Sequence, residues 1–257
     1  MRFTINLIVV CTLLCSNIFG STIQINQKLF DISVNDKGND RTVIEYSFGE
    51  FQKTDVVING ENYAILNLGK EVNIQEKGFP ALPKITRSII IPDDKKMEVN
   101  VLESEFTEYS FKIASGKGII VRPKTPSDVP YTFSDIYQQN EYYPGNLSEL
   151  GEPYILRDFR GLTVTVYPFQ YNPVTQSLKV YHHLILEVIP SGTGELNIKN
   201  RAVNGYNINF ESLYASHFIN HNPLLYNTVE ERGRMIVISM VILWMQFSLL
   251  LTGKIKK

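Results

Sequence analysis

Thiols are almost missing from this 257-residue chain: its two cysteines, Cys11 and Cys15, both stand close to the start. A thiolate metal site, a disulfide framework or a cysteine nucleophile therefore has no residue to work with beyond that point. Tryptophan is represented by Trp244 alone, and there are four histidines. Neither sign of charge dominates, since 25 Lys and Arg oppose 26 Asp and Glu for a formal net charge of -1 and a pI of about 6.4. That balance supplies no basic field of the kind that draws a protein onto nucleic acid, so a partner has to be recognised locally. With 44% hydrophobic and 20% charged residues, collagen-like, histone-like and disordered readings fall away. The chain also lacks a Gly-rich phosphate loop, a Gly-x-Ser-x-Gly elbow and a zinc-protease helix motif.

What is there begins with a leader. Arg2, the apolar run Leu7 to Leu14 and the small pair Gly20 and Ser21 read as a secretory signal peptide over residues 1–20. The segment is too short to span a bilayer, and cleavage at Gly20 or Ser21 would discard both cysteines. The mature chain is then expected to be exported, in the periplasm or at the cell surface.

From Ile23 to Ile189 short apolar or alternating runs are separated by turn residues. Val56–Ile58 ends at Asn59-Gly60 and is followed by Tyr63–Leu68, the pattern of a β-hairpin. Further expected strands are Arg87–Ile91, Met97–Leu102, Tyr109–Ile113, Gly118–Val121, Leu162–Tyr167 and Ser177–Ile189. Helical periodicity is nearly absent, and 14 Tyr and 14 Phe with many Val and Ile suit a pleated surface. The expected fold is all-β, an antiparallel β-sandwich over residues 21–190. Pro123 to Pro130 and the aromatic-polar stretch Tyr131 to Tyr143 read as a long surface loop, and Ser191 to Gly194 open a linker or arm over 191–225.

Few residues suggest chemistry. His217 and His221 have the spacing of two ligands on one helix face, and His182 and His183 are adjacent, yet neither pair has a third ligand nearby. Solvated faces account for Asp93, Asp94, Glu103 and Glu105. No metal and no cofactor is implied, and no catalytic constellation is visible. One segment differs: Ser115-Gly116-Lys117-Gly118 leads through Ile119, Ile120 and Val121 to Arg122, which is joined to Pro123. An exposed extended segment presenting Arg enters a protease pocket as a substrate does, while proline on the far side of the scissile bond hinders cutting. On composition alone it reads first as an ordinary loop arginine.

Three strings carry a resemblance: Val72-Asn73-Ile74-Gln75-Glu76-Lys77-Gly78-Phe79-Pro80-Ala81-Leu82-Pro83, Ile155 to Gly161, and Gln170 to Thr175 followed by Leu178 and Tyr181. Together they resemble the N-terminal pro-domain of the gingipain-type cysteine peptidases, over roughly Ile44 to Ser239. The resemblance implies a precursor in which a signal peptide and a β-sandwich pro-domain precede a caspase-like catalytic domain. The pro-domain assists folding of the peptidase and holds it latent, and the peptidase catalytic domain is the implied partner. In arginine-specific members a basic side chain of a pro-domain loop plugs the specificity pocket, and the residue matching that position is Arg122, with Pro123 and Lys117 beside it. Residues 226–239 resemble the start of the catalytic domain, with the junction at Leu225 and Tyr226, although a family member cut after arginine would carry one there.

After Ser239 the resemblance stops. The run Met235 to Thr252 is apolar and is followed by Lys254, Lys256 and Lys257. Residues 240–257 are expected to be a frame-shifted tail, since codons allowed for them, read one base earlier, give a string resembling the family's next segment. The chain then holds no catalytic cysteine or histidine and is not a peptidase by itself; membrane contact comes only through the signal peptide or the tail. The alternative is an exported β-sandwich binding module anchored by a C-terminal transmembrane segment.

Overall fold

The computed structural model describes residues 20–36, 41–200 and 205–229. The signal peptide, the tail and most of the expected catalytic stub lie outside the described residues. So does the proposed transmembrane run; among the described residues no helix is long and apolar enough to cross a membrane.

Antiparallel sheets dominate, as the alternating runs predict. The first is built on the long strand Ser177–Thr193. Along one side it pairs with Lys95–Ser110 over its whole length. On the other it pairs first with Phe169–Asn172 and then with Thr42–Ser47, beyond which lies Asp31–Asp36. Thr42–Ser47 alternates buried and half-buried residues, the period-two signature of a strand with one face on a core. The second sheet centres on Phe159–Val166, flanked by Pro83–Ile90 on one side and by Tyr154–Leu156 and Ser148–Leu150 on the other. A third consists of Ser21–Gln24, Glu50–Ile58 and Glu61–Asn67. Its hairpin turns at Asn59 and Gly60, with φ of 51° and 83°, the left-handed pair that matches strand twist.

One apolar core joins these sheets. Ile44, Tyr46, Phe51, Leu66, Ile85, Ile89, Leu162, Val164, Val166, Val180, Leu184 and Leu186 are all buried in it. Each such side chain contributes about 1.5–3 kcal/mol relative to exposure, so no single contact defines the sandwich.

Three segments depart from the sequence pattern. Met97–Leu102 and the start of Tyr109–Ile113 belong to one strand that ends at Ser110; beyond it Ile113 makes only an isolated bridge to Ala64. Gly118–Val121 finds no ladder partner among the described residues, so its β-branched residues are not enough to make it a strand. In the stretch expected as linker or arm, Ser177–Thr193 continues past Pro190, and Glu211–His217 forms a short helix. The arm folds back on the outer face of the second sheet, where Tyr206, Tyr214 and Phe218 are buried around Phe159. Gly161 permits this: a Cβ there would lie 2.6 Å from a ring carbon of Phe218. The signal was weak in sequence because these rings are scattered among polar residues rather than periodic.

Candidate functional site

The turn at Gly78 seats both ends of the segment carrying Arg122. Gly78 has φ of 86°, a left-handed conformation in which its N–H donates to the Gly116 carbonyl at 2.9 Å. Its own carbonyl accepts from the backbone N–H and the hydroxyl of Ser134, both at 3.0 Å. The Gly116 N–H donates to Phe79 O at 2.7 Å, and Pro80 bridges Ser115. Ala81 donates to Ala114 O at 3.0 Å, extending the attachment into the buried pair Ile113 and Ala114. The second half of the string Val72 to Pro83, one of those carrying the resemblance, is thus the floor from which the loop leaves and to which it returns.

The returning leg is held by aromatic rings. Phe133 packs on Tyr63 at 5.3 Å between centroids and edge-on to Tyr137 at 4.7 Å. The Tyr137 hydroxyl donates to the Ile113 carbonyl at 3.1 Å, and burial pushes its phenol well above the ordinary tyrosine range. Tyr143 exchanges backbone hydrogen bonds with Tyr171 at 2.9 and 2.8 Å and lies against Phe79.

The outgoing part stands free. Residues Val121 to Asp128 are all exposed, with Ile119 at 81% and Val121 at 66% exposure on the approach. Lys124 donates its N–H to Val121 O at 3.1 Å, closing a turn whose two central residues are Arg122 and Pro123, joined by a cis peptide. A second short turn follows at Pro126–Asp128, where the Asp128 carboxylate accepts from the Thr125 N–H and hydroxyl, both at 2.7 Å. Those bonds, hydroxyl first, hold the Asp128 carboxyl below its usual range.

The two cations singled out in the sequence have different situations. Arg122 makes no hydrogen bond or ion pair among the described residues and presents its guanidinium to solvent. Lys117 is engaged: its ammonium donates to the Pro126 carbonyl at 2.6 Å and lies 4.1 Å from the centroid of Tyr131. Sequence reasoning named Lys117 for its charge and missed both partners, as it missed Gly78 and Tyr131; the glycine inside the shared string was the available signal.

The remaining named residues lie elsewhere. Gly20 is exposed, and Ser21 opens the strand Ser21–Gln24, its hydroxyl donating to Lys53 O at 3.3 Å. At the expected junction, Leu224 and Leu225 are 92% and 50% exposed at the end of the arm. Tyr226 turns back onto Phe159, 4.8 Å between centroids. The histidines do not converge: His217 bonds the Tyr154 hydroxyl at 2.8 Å, His221 the Glu211 carboxylate at 3.0 Å and His183 the Glu45 carboxylate at 2.9 Å. Burial lowers the His182 imidazole from its ordinary value. Among the described residues no three His, Cys, Asp or Glu side chains are grouped to hold a metal ion.

Comparison with known proteins points to one group. A family model described as Propeptide_C25 matches residues 32–218. Gingipain R1 of Porphyromonas gingivalis is 41% identical over 170 residues, 65% of this chain but 17% of that protein, so the chain spans a minor part of the length of such relatives. The solved complex of Porphyromonas gingivalis RgpB pro- and mature domains contains a chain that superposes with a TM-score of 0.67 at 31% identity. The match covers 74% of this chain and 97% of that one. A structure on the zymogenic latency of gingipain K from Porphyromonas gingivalis shares the fold, with a TM-score of 0.59 at 20% identity over 68% of this chain and 100% of its own.

Proposed function

The chain belongs to the Propeptide_C25 family, and on that premise we propose that it acts as the pro-domain of an exported gingipain-type cysteine peptidase, holding the peptidase latent and assisting its folding. In this reading Arg122 enters the arginine pocket of the peptidase, and the chain itself hydrolyses nothing. The observation that carries the proposal is the free guanidinium at the tip of a loop whose two ends are fixed to the same glycine. A solvated arginine on such a loop keeps its five donors available for a carboxylate at the base of a pocket. Pro123 follows it, so the bond after Arg122 lacks the N–H that a cleavable substrate offers, and the loop can bind without being consumed. The relative with a pro-domain solved against its mature domain gives the partner its chemistry.

The test uses the full chain against mature RgpB peptidase. The wild-type chain is expected to inhibit hydrolysis of an arginyl substrate. Arg122→Ala is expected to weaken inhibition by about a hundredfold, the scale of a buried arginine anchor. Its melting temperature should stay unchanged, because the exposed Arg122 side chain makes no hydrogen bond or ion pair among the described residues. An Arg122→Ala chain as potent as wild type overturns the plug.

A further inference from the structure

We propose that Lys117 is a positioning residue that ties the two legs of the Arg122 loop together and so presents Arg122 ready for its pocket; this rests on the plug reading of Arg122 given above. Lys117 lies directly after Gly116, the last residue of the outgoing leg fixed to the Gly78 turn. Its ammonium reaches across to the carbonyl of Pro126 at 2.6 Å, on the far side of the exposed Arg122 turn. It also covers the face of Tyr131 at 4.1 Å, a ring whose phenol is raised by burial.

The segment between, Gly118 to Thr125, has no strand partner and exposes Ile119 and Val121. Released from Pro126, it would sample many shapes, and each docking event would have to select one of them. A loop held in its bound shape loses less freedom on binding and binds tighter without any new contact. Gly118, with φ of 76°, supplies the reversal that lets the chain leave while the Lys117 side chain turns inward; a Cβ there would meet the Lys77 side chain at 3.1 Å. The Asp128 carboxylate braces the same side of the exposed turn through Thr125. Two cations five positions apart thus divide the work, one fixed within the loop and one left for the partner.

The experiment is a double-mutant cycle on the full chain, read as inhibition of mature RgpB peptidase. Lys117→Met keeps the apolar stem and removes the ammonium; it is expected to weaken inhibition about tenfold. Lys117→Arg retains charge, donors and the contact with Tyr131, and is expected to stay within about twofold of wild type. In the Arg122→Ala background Lys117→Met should add nothing, because there is no anchor left to position. A general folding defect would instead weaken both backgrounds alike, and that result overturns the proposal, as does a Lys117→Met chain with wild-type potency. Should Lys117→Met fail to fold, Tyr131→Leu removes the ring face and is expected to cost about threefold, with wild-type potency overturning the staple. If Arg122→Ala has no effect, or the wild-type chain does not inhibit, the plug itself fails; if only the Lys117 variants are silent, the staple alone fails.

Discussion

Two halves of one connection have opposite fates. Val121 to Asp128 stands in solvent, whereas Tyr131 to Tyr143 lies down on the sandwich through Phe133, Tyr137 and Tyr143. Both are rich in turn residues and neither contains a strand. The difference is the aromatic payload. A ring that reaches Tyr63, Phe79 or the Ile113 carbonyl repays the ordering of the backbone that carries it, while prolines and short polar side chains do not. The Gly78 turn fixes both ends of the connection, one through Gly116 and the other through Ser134, and the free half lies between those two attachments.

The largest effect separating the two halves is expected from Tyr137→Ala. Losing a half-buried ring and its hydrogen bond to Ile113 should cost about 3 kcal/mol of stability, measured by urea unfolding. Inhibition should fall with it, because the returning leg loses its footing. A stability equal to wild type would mean that the docked half is as loose as the free one.

Alkaline pH sharpens the same contrast. Burial raises the phenols of Tyr137 and Tyr171, the latter to about 12. The fold therefore holds their neutral forms. For both rings that contribution is fully present below the ordinary tyrosine value of about 10; it is lost as pH rises through about 12 for Tyr171 and higher still for Tyr137. The urea midpoint is expected to be flat from pH 7 to 9 and to fall above pH 10, with a shallower fall in Tyr137→Phe. Equal slopes for the two chains would show that the docked ring does not carry the effect.

The smallest effect belongs to the free half. Asp128→Asn removes a charge from a carboxylate exposed to solvent and bonded, among the described residues, to Thr125, and should leave the urea midpoint unchanged. A change as large as that of Tyr137→Ala would join the two halves into one unit.

Legibility followed the same division. The Asn59-Gly60 hairpin, Arg87–Ile91, Leu162–Tyr167 and Ser177–Ile189 could be read because alternation and turn chemistry are local, and each finds a ladder partner. Gly118–Val121 has the same β-branched composition and none, since a strand exists only where another backbone lies beside it. The aromatic cluster of the arm was hidden for a related reason. Tyr206, Tyr214 and Phe218 gain their meaning from Phe159, which is distant in sequence.

Family and fold class were written in the order of residues alone, in strings such as Val72 to Pro83 and in the alternation of the strands. The site was legible only as a pair of cations on one loop. Which of them is free was a tertiary decision, because the acceptor that engages Lys117 is a backbone carbonyl, identical in every residue and invisible until the Pro126 turn brings it within 2.6 Å.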